Sequence, residues 1–369
     1  MLSQQDVPGA VDEVLRDFFA TSTVALDTVS PTAAEAGRAL DDFVLGGGKR
    51  IRPLFIHAGW QCAISAADRP PAAPSAQATE ALMLRVGAAI ELIQACALVH
   101  DDILDRSDTR RGRPTVHRRF ERLHERLRWT GDGAHHGSSV AILLGDLALA
   151  WADDLVHGYR PTGDAPLPPP LPQAAGAAWS QMRTEVLGGQ LLDITNEVSA
   201  DESVDAAYRV MEFKTAAYTV ARPLQIGAAL ASASAALSTD LRRIGTDLGL
   251  AFQLRDDLLG AFGDPAQTGK PSGDDLIAGK RTVLIARALA DSGPVVADRL
   301  RALLGRPLSP DELADARTIL TDSGAVAAVE AQITEHVDEA QSLIAGLDVA
   351  PTARADLTAL AHRIADRQA

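Results

Sequence analysis

The 369-residue sequence has little of several residue types, and each shortage argues against a class of protein. It contains two cysteines, Cys62 and Cys96, which are too few for a disulfide framework or a cysteine zinc site, so we expect a reducing, cytoplasmic location. Because 49 acidic residues outnumber 35 basic ones, the net charge is −14. This charge argues against a general nucleic-acid-binding protein, which needs a basic face.

Long hydrophobic runs are also scarce in the sequence. No apolar run in the sequence approaches the roughly 18 residues expected of a membrane span, and the longest candidate, Val140 to Ala152, contains Asp146. The first seventeen residues are acid-rich and lack the basic segment of a secretory signal. We therefore expect neither a signal peptide nor stable membrane insertion.

What the sequence does have is apolar residues at helical spacing almost throughout. Alanine and leucine dominate, aromatic residues make up 4%, and alternation over a strand length is hard to find. The pattern is clearest in Ala81–His100, where apolar residues recur every three or four positions over five turns. We predict an all-α protein, in which residues 1–369 form a single large helical bundle.

Glycine, proline and polar residues mark the breaks between the predicted helices. Gly46-Gly47-Gly48 ends one helix, because glycine readily adopts the left-handed conformation that follows a helix. Residues 160–176 are proline-rich and are predicted to be an exposed insertion. Residues 263–279 form a long polar segment, and such loops in helical proteins are usually functional or disordered. Further breaks are predicted at residues 68–75 and 130–138.

Two acidic clusters follow long apolar stripes. Asp101 and Asp105 are four residues apart, so on a helix they project side by side, with Asp102 on the flank. Like charges at this spacing repel, and carboxylate oxygens without His or Cys favour Mg²⁺ over zinc. Asp256-Asp257 follows a second stripe about 150 residues later. The alternative for either cluster is a solvated helix end.

Basic residues cluster near the same features. Residues 46–53 (GGGKRIRP) combine flexible backbone amides with three cations, the ingredients of an anion-binding loop. Further cations are Arg110, Arg111, Lys214, Lys270 and Lys280. Individually these are more often solvated surface residues. Together with the aspartates they indicate a ligand with two polyanionic groups, one held through metal and one by Lys and Arg directly.

These motifs resemble the trans-isoprenyl diphosphate synthases, also called polyprenyl synthetases. The resemblance extends in order from about Val44 to Thr282. It comprises GGGKRIRP, the first aspartate cluster with its RRG, the Gly188–Asp193 run, Lys214-Thr215, FQLRDD, and FGDPAQTGKPSGDDLIAGKRT. The resemblance implies an isoprenoid-synthase-type bundle around a central apolar cavity. It also implies condensation of an allylic diphosphate with isopentenyl diphosphate, in a homodimer.

The resemblance also implies a role for each matching residue. Mg²⁺, with three ions when substrate is bound, would be held by Asp101, Asp105 and Asp256, supported by Asp102 and Asp257. The allylic diphosphate would contact Arg110, Lys214, Lys270 and Lys280. Isopentenyl diphosphate would contact Lys49, Arg52, Gln94 and Arg111. The space around the reacting carbons and the chain-length pocket would be lined by Thr215, Gln253, Gln190 and Asp193.

One position departs from the family pattern. The second acidic motif ends in Gly260, where many relatives have a third aspartate, and this leaves the role of that position open. Asp275, in the long polar segment, is interpreted as orienting Lys280 or a water molecule near the metals.

Product length is predicted from the helix that ends at Asp101. Ala97 and Cys96 lie about one turn deeper, roughly 6–7 Å along the same face. In the family, aromatic side chains there close the pocket at a fifteen-carbon product, but here both are small. The next bulky residue on that face is Ile93. We therefore predict a twenty-carbon product, geranylgeranyl diphosphate, with a farnesyl or longer-chain product as the alternative.

Two other functions remain as alternatives. A non-catalytic subunit of a heteromeric synthase tends to lose the aspartate motifs, and both are present here. A class I terpene cyclase would not need Lys49, Arg52 and Arg111 together, because it binds no second diphosphate. The sequence therefore favours the condensing enzyme.

Overall fold

A computed structural model describes residues 2–159, 168–264 and 273–365 of the chain. Helices make up nearly all of the regular secondary structure in the described residues, which confirms the predicted all-α class. Among them, the only strands form a short antiparallel pair in which Thr109–Arg110 (β1) lies beside Arg113–Pro114 (β2). This pair directly follows the first acidic cluster.

The helices of the first half begin at capping residues. Ser30 accepts a hydrogen bond from the Ala33 amide at 3.0 Å, and Ser75 accepts one from the Ala78 amide at 3.2 Å. These helices are α1 (Val7–Val29), α2 (Pro31–Leu45), α3 (Ile51–Ile64), α4 (Ala76–Leu104), α5 (Val116–Leu127), α6 (Gly133–His157) and α7 (Gln173–Ser199).

The second half contains a π-helix that no sequence pattern had indicated. It is π1 (Met211–Ala221), which continues α8 (Val204–Val210) and passes directly into α9 (Arg222–Leu230). The remaining helices are α10 (Ala235–Phe262), α11 (Asp274–Ala278), α12 (Val283–Asp291), α13 (Pro294–Leu303), α14 (Pro310–Asp322), α15 (Ala325–Gly346) and α16 (Pro351–Ala365).

Helix α4 lies at the centre of the larger hydrophobic core and packs against α1, α3, α5 and α6. A second cluster of buried residues lies between the carboxyl-terminal half of α10 and helices α12 to α15. Helix α10 belongs to both clusters, with Ile244 and Leu248 in the first and Leu254 and Leu258 in the second. That residues 1–369 form one domain stays a prediction.

One described helix, α4, is long and apolar enough to cross a membrane by length and composition. This corrects the expectation that no run reaches that size. In this fold 67% of its most apolar 18-residue window is buried, and core helices of globular proteins meet the same criterion. The length and composition of α4 are therefore weak evidence for a membrane span.

Three predicted breaks are shorter than expected in the structure. Helix α7 begins at Gln173, so the last four residues of the predicted insertion at 160–176 are helical; residues 160–167 lie outside the described part. Helix α11 lies inside the predicted 263–279 loop, of which residues 265–272 are not described. Helix α6 begins within the break at 130–138, because Asp132 accepts a hydrogen bond from the Ala134 amide at 2.9 Å.

Candidate active site

A cavity of about 1040 Å³ lies between α4, α7, π1 and α10. Most of the residues predicted to bind ligand line it. They are Lys49, Arg52, Ile93, Gln94, Cys96, Ala97, Asp101, Arg110, Arg111, Gln190, Asp193, Lys214, Thr215, Gln253, Asp256, Asp257 and Lys280. Asp102 and Asp105 are not among the lining residues, and Lys270 lies outside the described residues.

The three aspartates at the end of α4 have different surroundings. Asp101 faces the cavity, with its Oδ1 3.4 Å from Lys214 Nζ. Asp102 is fully buried and accepts a hydrogen bond from Arg110 Nε at 2.8 Å. Asp105 pairs with Lys280, at 3.0 Å between Oδ2 and Nζ. Asp101 and Asp105 thus each pair with a lysine that lines the cavity, while the buried Asp102 holds Arg110 in place.

The pKa values of Asp101 and Asp102 are shifted in opposite directions. Burial works against ionisation of Asp101, but Lys214, Lys280 and Arg110 outweigh it and lower its pKa below the usual value. Burial raises the pKa of Asp102, although Arg110 partly offsets this effect. Asp101 is thus held as a carboxylate at the cavity wall.

The second acidic cluster lies on α10, across the cavity mouth from Asp101. The mouth is the part of the cavity that Asp101 and Asp256 line. Asp256 and Asp257 both line the cavity; Asp257 is buried and accepts a hydrogen bond from Gln253 Nε2 at 2.8 Å. Burial raises the pKa of Asp257, and the neighbouring charges of Asp275 and Asp256 raise it further. Unlike Asp102 on α4, the buried Asp257 is therefore itself part of the cavity wall.

Lys280 lies among carboxylates from the end of α4 and from α11. Burial opposes its charge, but Asp105, Asp275 and Asp101 outweigh this effect and raise its pKa. Two of these carboxylates belong to α4, and the third lies on α11 beside Asp257. A single ammonium group therefore lies within electrostatic reach of carboxylates from both sides of the cavity.

The donors at this mouth fit a divalent cation bound together with an anionic ligand. Among the described residues, no three His, Cys, Asp or Glu side chains stand close enough to hold a metal ion alone. Mg²⁺ characteristically binds through one or two carboxylates plus phosphate oxygens and waters, so such a closed cluster is not needed. Asp102 Oδ2 is buried without a hydrogen-bond partner among the described residues, which leaves one oxygen for a further donor.

A separate group of cations lies at the amino end of α3. Arg52 donates a hydrogen bond to Thr219 Oγ1 at 2.9 Å, and its guanidinium lies 4.2 Å from the centre of the Tyr218 ring. Arg111 donates a hydrogen bond to the Gly47 carbonyl, and Lys49 is exposed. Because these cations lack carboxylate partners among the described residues, they can bind an anion directly.

Gln94, predicted in this second anion site, accepts a hydrogen bond from Tyr218 Oη at 2.8 Å. Sequence reasoning missed Tyr218, which contacts both Gln94 and Arg52 and therefore positions two predicted ligand-binding residues. A signal was present, because Tyr218 follows Lys214 by four residues on one helix.

The cavity continues past the mouth along α4. Its wall includes Ala97, Cys96 and, one turn deeper, Ile93, with Leu149 from α6 and Val186 from α7. The space beside Cys96 is therefore open rather than solidly packed. Burial raises the pKa of the Cys96 thiol to about 11, so the thiol stays neutral and suits an apolar wall.

Two residues assigned to the chain-length pocket lie close to charged groups. Gln190 Nε2 is 3.4 Å from Asp101 Oδ1, and Asp193 Oδ2 is 2.6 Å from Lys214 Nζ. The two residues are three positions apart on α7, and both face the acidic mouth. Both also line the cavity, so their assignment to the space around the reacting carbons and the chain-length pocket stays a prediction.

Asp153 on α6 is partly exposed and accepts hydrogen bonds from Arg183 at 2.7 Å and from Trp179 Nε1 at 3.1 Å. This contact joins α6 to α7, and Arg183 also lines the cavity. Asp153 is thus a structural residue that positions part of the wall.

The comparisons with known proteins agree with this geometry. The polyprenyl synthetase family matches residues 34–320. A (2E,6E)-farnesyl diphosphate synthase of Mycobacterium tuberculosis is 33% identical over 327 residues, covering 87% of this chain and 80% of that protein. A geranylfarnesyl diphosphate synthase of Aeropyrum pernix is 30% identical, covering 86% of this chain and 90% of that protein.

A solved structure shows the same fold over the whole chain. It is a geranylgeranyl pyrophosphate synthase from Corynebacterium glutamicum, complexed with isoprenyl diphosphate and magnesium. The two proteins are 43% identical, with a TM-score of 0.89 and complete coverage of both chains. The present chain therefore belongs to the polyprenyl synthetase family and is a transferase, a trans-prenyl diphosphate synthase.

Proposed function

We propose that the protein is a Mg²⁺-dependent geranylgeranyl diphosphate synthase that works as a homodimer. The observation that carries this proposal is the shape of the cavity. An acidic mouth and a separate cationic site open into one space that continues past two small residues, Cys96 and Ala97, to Ile93. Such a cavity suits two diphosphates and a growing apolar chain.

The allylic diphosphate is assigned to the acidic mouth. Asp101 and Asp105 on one side and Asp256 on the other would hold the Mg²⁺ ions, three in all by resemblance to the family. Bound there, Mg²⁺ supplies Lewis-acid neutralisation of the charge that develops on the leaving diphosphate. Lys214 and Lys280 add positive charge at the same place, since both already pair with aspartates of α4.

Isopentenyl diphosphate is assigned to Lys49, Arg52 and Arg111, with Gln94 beside them. Tyr218 stacks on the Arg52 guanidinium and donates a hydrogen bond to Gln94, so this site is organised before the substrate arrives. Two separate diphosphate sites place the isopentenyl double bond and the allylic carbon in one cavity. This arrangement favours condensation over cyclisation, which uses a single diphosphate.

The chemistry between the two sites needs no protein nucleophile. The allylic carbon–oxygen bond breaks towards a carbocation, the isopentenyl double bond attacks it, and a proton is then lost. Thr215, Gln253 and Gln190 line this region and supply dipoles that can stabilise positive charge. The apolar wall deeper in the cavity excludes water, which would otherwise trap the cation as an alcohol.

The length of the cavity supports a twenty-carbon product. Cys96 and Ala97 leave the first turn below Asp101 open, so a fifteen-carbon chain is not stopped there. Ile93 is the next bulky residue on this face of α4, and its wall neighbours include Leu149 and Val186. We assign the end of the product pocket to this level.

The reaction and its product are tested by incubating purified protein with isopentenyl diphosphate and either dimethylallyl or farnesyl diphosphate. We expect a twenty-carbon diphosphate by mass spectrometry, formed only when isopentenyl diphosphate is present and abolished by EDTA. Product formed without isopentenyl diphosphate would identify a cyclase. Inactivity with every starter would identify a non-catalytic subunit.

The pocket assignment is tested by Cys96→Phe, which should shift the main product from twenty to fifteen carbons because the ring fills the space below Asp101. Cys96→Ala is the matched control and should keep the twenty-carbon product. An unchanged chain length in Cys96→Phe would place the end of the pocket elsewhere.

A further inference from the structure

The two acidic helices differ at one position. On α4, Asp101 is followed four residues later by Asp105, and the pair projects from one face. On α10, Asp256 is followed four residues later by Gly260, which has no side chain. By sequence alone, the second side of the mouth therefore lacks the carboxylate that completes the first.

The space of the missing side chain is occupied by another carboxylate. A Cβ placed on Gly260 would lie 2.5 Å from Asp275 Cγ and would overlap Asp275 Oδ2. Such distances are too short for any real contact, so the Asp275 carboxylate sits where a side chain at position 260 would begin. A residue other than glycine at position 260 would have to push Asp275 away.

Asp275 also faces the same charged groups as a residue at position 260 would. It lines the cavity together with Asp256 and Asp257, and its charge acts on both Asp257 and Lys280. It reaches this place from α11, which lies across from the carboxyl-terminal part of α10. The carboxylate is thus supplied in space by a residue fifteen positions later in the chain.

We propose that Asp275 replaces the third aspartate of the second acidic motif and contributes a carboxylate to the Mg²⁺–diphosphate site, and that Gly260 is required because its missing side chain makes room. This inference rests on the proposed function, since it assigns Asp275 to the same metal site. It goes beyond the interpretation of Asp275 as a residue that orients Lys280 or a water molecule near the metals.

The proposal predicts a specific dependence on Mg²⁺. Asp275→Asn preserves the size of the side chain but removes its charge and one acceptor oxygen, so it should lower the Mg²⁺-dependent affinity for inorganic diphosphate by about 10- to 100-fold. Isothermal titration calorimetry of the full-length protein, at several Mg²⁺ concentrations, measures this without turnover. Asp298→Asn, which removes an exposed carboxylate on α13, is the control and should match wild type.

A carboxylate exchange tests the spatial replacement directly. Gly260→Asp alone should be destabilised, seen as a lower Tm, because its Cβ meets Asp275. The double variant Gly260→Asp/Asp275→Gly removes this overlap and returns a carboxylate to the same place. It should bind Mg²⁺–diphosphate more tightly than Asp275→Gly alone.

The possible outcomes separate this inference from the proposed function. If wild type does not bind diphosphate with Mg²⁺, the proposed function fails. If wild type binds and Asp275→Asn binds with the same Mg²⁺ dependence, only the present inference fails. It also fails if Asp275→Asn weakens binding equally at every Mg²⁺ concentration and the double variant restores nothing, because Asp275 would then act through Lys280 alone.

Discussion

Arg50 lies in the same short segment as Lys49 and Arg52, but its guanidinium is buried in the protein. It donates hydrogen bonds to Asp12, Glu91 and the Val44 carbonyl, each at 2.8 Å. Its side chain is 5% exposed and that of Glu91 is 6% exposed. The pair is therefore structural, although the sequence motif presents all three cations alike.

We predict that Arg50→Met lowers the free energy of unfolding by about 3–5 kcal/mol, because it leaves the buried Glu91 charge without its partner. The matched change Arg119→Met removes an exposed cation that pairs with Asp42 at 3.0 Å. It should cost no more than about 1 kcal/mol. Urea unfolding of both variants measures the difference, and equal losses would contradict the structural role of Arg50.

The roles of single residues were only partly predictable from the sequence. The Asp101–Asp105 spacing identifies a charged pair on one helix face, because four residues make about one turn. Nothing local separates Arg50 from Lys49 and Arg52, since its partners lie 38 and 41 positions away in the sequence. The same holds for Asp275, whose position beside Gly260 depends on how α11 meets α10.

At the scale of elements, α7 and π1 approach each other closely at Gly189. A Cβ on Gly189 would lie 2.8 Å from both Lys214 Cα and the Phe213 carbonyl carbon. Both are backbone atoms, so no side chain can rotate to relieve the overlap. The absence of a side chain at position 189 thus sets how near Lys214 comes to Asp193 and Asp101.

We therefore predict that Gly189→Ala lowers the Tm and reduces kcat, because the two helices must separate and move the Lys214 ammonium. On the same helix, Gly176→Ala would place its Cβ 3.8 Å from Leu171 Cδ2, an ordinary contact. This control should keep its activity and gain stability from the better helix former. Thermal unfolding and steady-state kinetics test the pair, and a harmless Gly189→Ala would refute the close approach.

Helices were more predictable than their irregularities. Apolar spacing indicates α-helices throughout, and the segments rich in glycine, proline and polar residues mark five of the breaks between them. The π-helix at Met211–Ala221 was not predicted, because a change of hydrogen-bond register leaves the apolar pattern nearly unchanged. This segment carries Lys214, Thr215 and Tyr218, so the irregular element contributes residues to both proposed diphosphate sites.

At the scale of the whole molecule, the convergence of the acidic clusters was not derivable from spacing. About 150 residues separate Asp101 from Asp256, and their approach depends on how α4 and α10 pack in the bundle. Resemblance to a known family implied that they meet, and in this chain Asp101 and Asp256 line the same cavity. The depth of the proposed product pocket was easier to predict from the sequence, because depth along one helix is set by its rise per residue.

At the surface of the molecule, α6 and α7 present large apolar side chains to solvent. Leu143 on α6 is 67% exposed and Leu191 on α7 is 65% exposed, with Ile142 and Leu187 beside them. The two helices are joined through Asp153. Apolar side chains grouped on adjacent elements are typical of protein–protein interfaces, which supports the proposed homodimer.

The homodimer predicts how single charges on these helices change the oligomeric state. Leu143→Glu and Leu191→Glu should each weaken association at least tenfold, because a buried, unpaired carboxylate opposes contact between subunits. Val295→Glu is the control, since Val295 is 82% exposed on α13, away from these helices. Sedimentation velocity over a range of micromolar concentrations should show wild type and Val295→Glu as dimers and the other two variants shifted towards monomer. A monomeric wild type, or equal dissociation of all three variants, would place the exposed faces of α6 and α7 outside any subunit interface.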